Sequence, residues 1–425
     1  MYFDLKLIFV LVFILVVDFY SFKGIKSTIL KRITKAWIRK FIIYLFWLIS
    51  LIFILISIYI FIKKPIVRSV VAYKQIYFLV GMLVLFYIPK LFFIIFHFIE
   101  DLVYFIQLLN FLRITKKNIR ISETVPRRNR LTLISEIGII LALIPFFTIV
   151  YGISAGRYYF QVNTIEPEFV NLPQQFNDLK IVQISDFHIG SFYGNSKQVE
   201  EIVELINEQN ADLVFFTGDM VNNTASEMDS FITILSGIRS MSGKYAILGN
   251  HDYGDYNNWN SWEEKEANRI ELRHKLKLSG FDLLLNENRI IEKDDAKIAV
   301  IGIENWGLPP FKQYGRLNDA IKGTENIHFK ILLSHDPSEW DEEVKGKKDI
   351  DLTLSGHTHG MQFGFRINNI KWSPVEWKYP RWAGLYQVGS QYLYVNVGLG
   401  NIGFPGRIGI RPEITVIELH NKSEN

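Results

Sequence analysis

Hydrophobic residues follow two regimes along this chain, and the change falls near residue 157. Before it, apolar residues run in blocks of about twenty over 41–62, 76–99 and 131–151. That length matches a hydrocarbon core roughly 30 Å thick, so each block is expected to span a membrane. A fourth block, 7–22, is shorter and carries Asp18. A signal peptide competes for it, but no small-residue cleavage site follows and the next residues are basic, so it reads as an uncleaved span. Pro89 and Lys90 fall in the middle of 76–99. An intramembrane lysine is a functional candidate unless the segment is two shorter helices, or the lysine snorkels or faces a neighbouring helix. Pro145 in the last block is expected only to kink it.

After residue 157 the apolar runs shorten to strand length and alternate with helical periodicity. Leu179–Ile184, with β-branched Ile181, Val182 and Ile184, reads as a buried strand. Val199, Ile202, Val203 and Ile206 recur at helical spacing within 196–210. Further strands are expected at 213–217, 244–248, 298–303, 329–333, 351–354, 363–367, 392–397 and 414–419, with helices at 231–238 and Trp262–Leu278. The stretch 153–178 has Pro167 and Pro173 and no helical period, and reads as a linker. Strands alternating with helices, then a strand-rich tail, predict sheets with helices packed outside. The expected organisation is an all-α transmembrane region of about four helices over 1–152, the linker, and an α+β domain over 179–425.

Charge sharpens the division. Residues 1–157 hold 21 Lys and Arg against 6 Asp and Glu, whereas the rest holds 26 against 37. The basic excess lies between the hydrophobic blocks and reads as membrane topology, so no nucleic-acid partner is expected. Segments 23–40 and 113–130 carry seven Lys and Arg each and 63–74 carries four. The positive-inside rule puts the two richer segments in the cytoplasm and everything after 131–151 outside. The chain has no cysteine, which excludes disulfides and thiolate metal sites.

The chemistry gathers where predicted strands end. Asp186 and His188 follow the first strand two residues apart, and in extended backbone such residues point the same way and can grip one ion. Alone this pair is a weak signal. Four further strand ends supply groups of the same kind: Gly218-Asp219, then Gly249-Asn250-His251-Asp252, Ser334-His335-Asp336 and Gly356-His357-Thr358-His359. Five of the nine histidines fall in these blocks. Carboxylate, imidazole and amide oxygen suit Mn²⁺, Fe or Zn²⁺. Glycines 218, 249 and 356 let the backbone turn sharply beside them.

These five blocks, in this order, resemble the calcineurin-like metallophosphoesterases over about 179–419. The hydrophobic N-terminal part, and Gly400, Pro405, Arg407, Pro412 and Glu413 in the tail, resemble the membrane-associated bacterial branch of that family. The resemblance implies a four-layer αββα sandwich with two divalent metal ions at the strand ends, manganese first, with iron or zinc as alternatives. Asp186, His188 and His359 would hold one ion, Asn250, His335 and His357 the other, and Asp219 would bridge them. A metal-bound hydroxide would attack phosphorus, His251 would stabilise the transition state or protonate the leaving oxygen, and Asp252 would orient His251. Met361 stands where that branch commonly has glycine, and is expected to pack.

The implied function is a membrane-anchored phosphoesterase in the cytoplasmic membrane with its catalytic domain outside. It would act on a phosphomonoester, a phosphodiester or a lipid-linked pyrophosphate. Two other readings stand beside it: a sensor or transporter-like protein with a regulatory metal module, which Lys90 favours, and a metal-binding interaction module without catalysis. Two aromatic stretches, one with Tyr253, Tyr256, Trp259 and Trp262, the other with Trp372, Trp377, Tyr379, Trp382 and Tyr386, either pack long loops or cap the metals, receive an acyl chain or rest on a bilayer.

Overall fold

The computed structural model describes residues 5–63, 70–117, 132–367 and 370–422. Residues 64–69 and 118–131, which belong to two of the basic segments and to the start of the last expected span, lie outside the described residues. The chain divides into two compact units, 1–65 with 79–151 and 66–78 with 152–425.

Among the described residues, four helices are long and apolar enough to cross a membrane: Leu5–Ser27 (α1), Ala36–Lys63 (α2), Val70–Lys117 (α3) and Leu133–Ser154 (α4). α1 runs uninterrupted through Asp18, whose side chain is fully buried. Its carboxylate accepts from Lys90 Nζ of α3 at 2.6 Å and from the Tyr87 hydroxyl at 3.0 Å. The two charges that stood out in separate hydrophobic blocks are therefore partners, because a charge in an apolar layer is tolerated when paired. Lys90 faces a neighbouring helix, one of the placements expected for it beside a functional role. Pro89 and Pro145 lie inside α3 and α4.

The second unit begins to build its first sheet inside the stretch expected to be linker. Strand Gln161–Ile165 (β1) is followed by Leu179–Ile184 (β2), Leu213–Phe216 (β3), Gly243–Ala246 (β4) and Asp282–Leu283 (β5). The second sheet takes Glu287–Lys293 (β6), Ala296–Gly302 (β7), Lys330–Leu333 (β8) and Leu352–Ser355 (β9). A separate hairpin of Phe365–Ile367 (β10) and Ile370–Trp372 (β11) interrupts it before Gly384–Val388 (β12) and Gln391–Val395 (β13) complete it. Strand Glu413–Asn421 (β14) returns to the first sheet. The spatial orders are β1-β14-β2-β3-β4-β5, with Glu168–Phe169 also on β14, and β12-β13-β9-β8-β7-β6. Strands β2, β3 and β4 run parallel, as do β7, β8, β9 and β13.

The burial pattern explains the hydrophobic runs. Val182, Ile184, Val214 and Phe216 face outward against Val199, Ile202 and Ile206 of helix Ser196–Glu208 (α5) and Leu272 and Leu276 of Trp262–Leu278 (α6). Their alternates Ile181, Leu213 and Phe215 face inward against Val300, Ile331, Leu333, Leu352 and Leu354 of the second sheet. Successive side chains point to opposite faces, and both faces are covered, so nearly every position is apolar. Beyond the second sheet, Ile301, Leu332 and Val395 pack on Leu317 and Trp340 of two short helices, Leu317–Ala320 and Trp340–Val344. Helix, sheet, sheet and helix stack in the expected four layers.

Candidate metal centre

All five motif blocks leave the carboxyl ends of parallel strands, where open α/β sheets gather ligands. Asp186 and His188 follow β2, Asp219 follows β3, Asn250 follows β4, His335 follows β8, and His357 and His359 follow β9. The two sheets face each other across one core, so strand ends from both converge on one place. Asp186, His188, Asp219 and His359 present ligand atoms within 4.8 Å of one another, and Asp219, His335 and His357 do the same.

Three atoms define the first set. His359 Nε2 lies 3.1 Å from His188 Nε2 and 3.1 Å from Asp186 Oδ1. In the second set Asn250 Oδ1 is 3.2 Å from His335 Nε2 and 2.9 Å from His357 Nδ1. Asp219 Oδ2 stands between the sets, 3.6 Å from His188 Nε2 and 3.2 Å from His335 Nε2. A single oxygen faces both sets, because Asp219 Oδ1 is taken by the backbone N–H of His251 at 2.8 Å. Imidazole nitrogens turned toward each other at hydrogen-bond distance, beside buried carboxylate oxygens, are a donor set that a cation satisfies. The N and O ligands fit a borderline divalent ion such as manganese, iron or zinc.

The other face of several of these candidate ligands is anchored. His335 donates from Nδ1 to the Thr217 carbonyl at 2.8 Å, which leaves Nε2 free for the centre. His357 Nε2 is 2.9 Å from the Tyr379 hydroxyl and 3.5 Å from Asp336 Oδ2. Asn250 Nδ2 donates to the Tyr256 hydroxyl at 2.8 Å, turning Oδ1 inward. Arg407, fully buried, donates to the carbonyls of Val397 and Gly400 and has Nη2 3.4 Å from His359 Nδ1. Five of these candidate ligands, Asp186, His188, Asp219, His357 and His359, have φ between +41° and +71°. That left-handed backbone is unfavourable for side-chain-bearing residues and persists where the surroundings enforce it. Gly218, at φ +97°, packs so closely on Gly249 that a Cβ would lie 2.6 Å from the Gly249 nitrogen.

Charge inside the cluster is balanced among the residues themselves. Burial would raise the Asp186 carboxyl, but the His359 and His335 imidazoles hold it well below the carboxylate range. Asp219 is likewise held down, chiefly by His335 against the effect of burial. Burial works against a charged His335, yet Asp219 and Asp186 push it up to about 10. Burial and the neighbouring His359 hold His188 well below its ordinary value.

His251 sits at the wall of the site with its ring 4.9 Å from that of His188 and 4.4 Å from that of Tyr256. Its Nδ1–H donates to the backbone carbonyl of Asn222 at 2.7 Å. Asp252, expected to orient it, does something else. Its carboxylate accepts from the backbone N–H groups of Asp219, Met220, Val221 and Gly249, and so staples two strand ends together. Burial beside Asp219 pushes this carboxyl up to about 7. The sequence could not distinguish these roles, because adjacency to His251 says nothing about which side of the loop the carboxylate takes. Asn222 was missed, as was Glu227, whose carboxylate accepts from the N–H groups of Asn222, Asn223 and Thr224. The Thr224-x-x-Glu227 spacing is a helix-start signal, and could have flagged Glu227 as a loop anchor.

The centre opens into a pocket of about 510 Å³, whose wall includes Tyr256, Phe311, Tyr379, Ile402 and Phe404. Lys378 stands exposed at its edge, with Nζ over the Phe311 ring at 4.9 Å. Met361 does not pack as expected: it lines this pocket and is 60% exposed. The aromatic stretches divide. Tyr253 and Trp382 are buried packing residues, Tyr256 and Tyr379 border the centre, and Trp377 is 84% exposed.

Comparison with known proteins agrees with this arrangement. Residues 179–361 match the family described as calcineurin-like phosphoesterase. Residues 5–157 match the family described as probable calcineurin-like phosphoesterase, transmembrane domain. The chain belongs to the calcineurin-like metallophosphoesterases, in a form that joins the catalytic fold to a four-helix membrane region. It is 30% identical over 291 residues to the uncharacterized metallophosphoesterase YkuE of Bacillus subtilis, covering 64% of this chain and 93% of that one. It is 32% identical over 268 residues to a transmembrane protein with metallophosphoesterase domain from Bos taurus, covering 61% of this chain. The match spans 56% of that relative's length. The phosphodiesterase YaeI of Escherichia coli is 28% identical over 243 residues, 56% of this chain and 82% of that one.

Proposed function

We propose that this membrane-anchored metallophosphoesterase hydrolyses its ester at a two-metal centre, on the outer side of the cytoplasmic membrane. Asp186, His188 and His359 would hold one divalent ion and Asn250, His335 and His357 the other, with Asp219 within reach of both. The observation that carries this reading is the placement of Asp219 Oδ2 between the two donor sets, 3.6 Å from His188 Nε2 and 3.2 Å from His335 Nε2. When bound, such ions polarise the phosphoryl oxygens and lower the pKa of water, so that a nucleophile exists at neutral pH.

The chain's own residues do the remaining work. His251 has Nδ1–H committed to Asn222, so it is the doubly protonated ring that carries on Nε2 the proton given to the leaving oxygen, the neutral ring with Nδ1–H being left behind. Tyr256 fixes the Asn250 amide and packs its ring, tilted by 34°, against His251, so one residue orients a ligand and the acid together. Lys378 offers positive charge at the pocket edge, where a phosphate enters. The apolar wall of Phe311, Ile402 and Phe404 suits an ester with a hydrophobic leaving group, and a lipid-linked phosphoester is the class that matches both features. The external location rests on seven basic residues in 113–130 preceding the last span.

The test uses the full-length chain in detergent with Mn²⁺ and a chromogenic phosphate monoester and diester. Metal-dependent turnover, lost in Asp219→Ala and His251→Ala, is expected, and the ratio of the two rates assigns the ester class. Equal turnover in the His251→Ala variant would remove that residue as the acid. A C-terminal reporter active only in the cytoplasm would reverse the topology.

A further inference from the structure

Hairpin β10–β11 inverts the usual rule for a sheet with one packed face. Phe365 pairs with Trp372 and Ile367 with Ile370, so all four share one side. Those four are 41%, 36%, 64% and 69% exposed in that order. The opposite side holds Arg366, bonded to Glu413 at 2.7 Å, and Lys371, bonded to the Tyr386 hydroxyl at 2.8 Å. Antiparallel strands ordinarily turn polar residues to water, and here the charged pair faces the protein while the apolar quartet faces out.

The face is large and continuous. Aromatic side chains of this kind cover roughly 150–250 Å² each, so the quartet offers on the order of 400 Å² of apolar surface, a size that marks interaction sites. Phe363, 46% exposed, extends it with its ring against Trp372, and Met361 carries it to the metal pocket. Trp377 and Lys378, both exposed, stand beside the same segment. Tryptophan with a cationic neighbour is the composition found at the membrane–water boundary.

The root of the hairpin indicates what covers it. Gly152 lies in the last turn of α4, the helix long and apolar enough to cross a membrane. Its carbonyl accepts from Arg407 N at 3.1 Å, and a Cβ at Gly152 would come 2.7 Å from Ile408. Ile408 pairs with Phe363 and accepts from Gly364 N at 3.0 Å. One residue, Ile408, thus links the end of the last apolar helix to the first residues of the hairpin segment.

We propose that the outer face of this hairpin, Phe365, Ile367, Ile370 and Trp372, inserts into the headgroup–acyl boundary of the bilayer that holds the chain's own helices. The inserted face brings the edge of the metal pocket to lipid depth.

Because the chain has no cysteine, a single spin label can be placed cleanly. The label goes at Ile370→Cys or Ile367→Cys in the full-length protein, in nanodiscs of phosphatidylcholine and phosphatidylglycerol, with Met241→Cys, 70% exposed, as the aqueous reference. Lipid-like relaxation is expected at both hairpin positions, fast with oxygen and slow with a nickel chelate, opposite to Met241→Cys. Nickel accessibility equal to that of Met241→Cys overturns the inference. Protection from both reagents also overturns it, because that pattern means a protein surface, either a second copy or a partner. This readout needs no turnover, so its failure is separate from failure of the proposed reaction.

Discussion

The backbone carbonyl of Asn222 holds His251 by a 2.7 Å hydrogen bond from Nδ1, so a main-chain group sets the orientation of the proposed acid. Glu227 in turn holds Asn222 through its backbone N–H at 2.7 Å and its side-chain amide at 3.0 Å. Glu227 is a positioning residue. Glu227→Gln keeps the shape but replaces an acceptor of several N–H bonds with one that also donates. Hydrogen bonds to a charged group contribute about 1.5–3 kcal/mol, so kcat is expected to fall about tenfold or more. KM and bound metal, read by elemental analysis, stay near wild type. Loss of metal in parallel with kcat would mean that Glu227 only holds the fold.

Metal binding should be separable by site. His357→Ala is expected to lose about one equivalent and Asp219→Ala both, since Asp219 faces both donor sets. Chelation of the wild-type protein should abolish turnover and lower the unfolding temperature, and added Mn²⁺ should restore both. Two equivalents retained by Asp219→Ala would contradict the shared oxygen.

Much of this was legible in the chain. The strand ends and candidate ligand residues stood out because Asp186, His188, His335 and their partners repeat one kind of donor chemistry at the ends of successive apolar runs. The edge strands β6 and β12 were not seen, because Glu287–Lys293 is half exposed and charged and lacks a buried face to impose a period. Strand β1 hid among the prolines of 153–178, and its partner β14 lies some 250 residues away. The Asp252 role and the Asn222 carbonyl were invisible for a deeper reason. Backbone groups carry no residue identity, and five ligands at positive φ place side chains where extended-strand reasoning does not.

Stability should depend on pH through Glu339. Burial pushes this carboxyl from 4.5 up to about 8, while the Ser334 hydroxyl pulls it down and Glu343 and Asp336 add repulsion. The unfolded chain ionises near 4.5, but the folded state keeps its proton to about 8. The contribution is therefore fully present below the unfolded value and is lost as pH rises through the folded one. Glu339→Gln, neutral throughout, should flatten the decline in unfolding temperature between those limits. An unchanged profile by differential scanning fluorimetry would show that the wild-type decline has another source.

The Asp18–Lys90 pair is open to a double-mutant test. Lys90→Met alone leaves a buried carboxylate unpaired, and breaking a buried pair in this way costs about 3–5 kcal/mol. Adding Asp18→Asn removes the orphaned charge and should recover most of the lost unfolding temperature in detergent. A double variant no better than Lys90→Met would mean that the two residues act independently.

That pair also ties the first helix to a part of the chain made much later. Asp18 leaves the ribosome 72 residues before Lys90, so for the whole synthesis of the intervening chain the first helix carries an acid with no counter-ion. At a bilayer centre such a residue costs about 2.5–3.5 kcal/mol on insertion scales. Lys90 supplies the partner that offsets this cost, so the first helix is settled in lipid by a residue of the third.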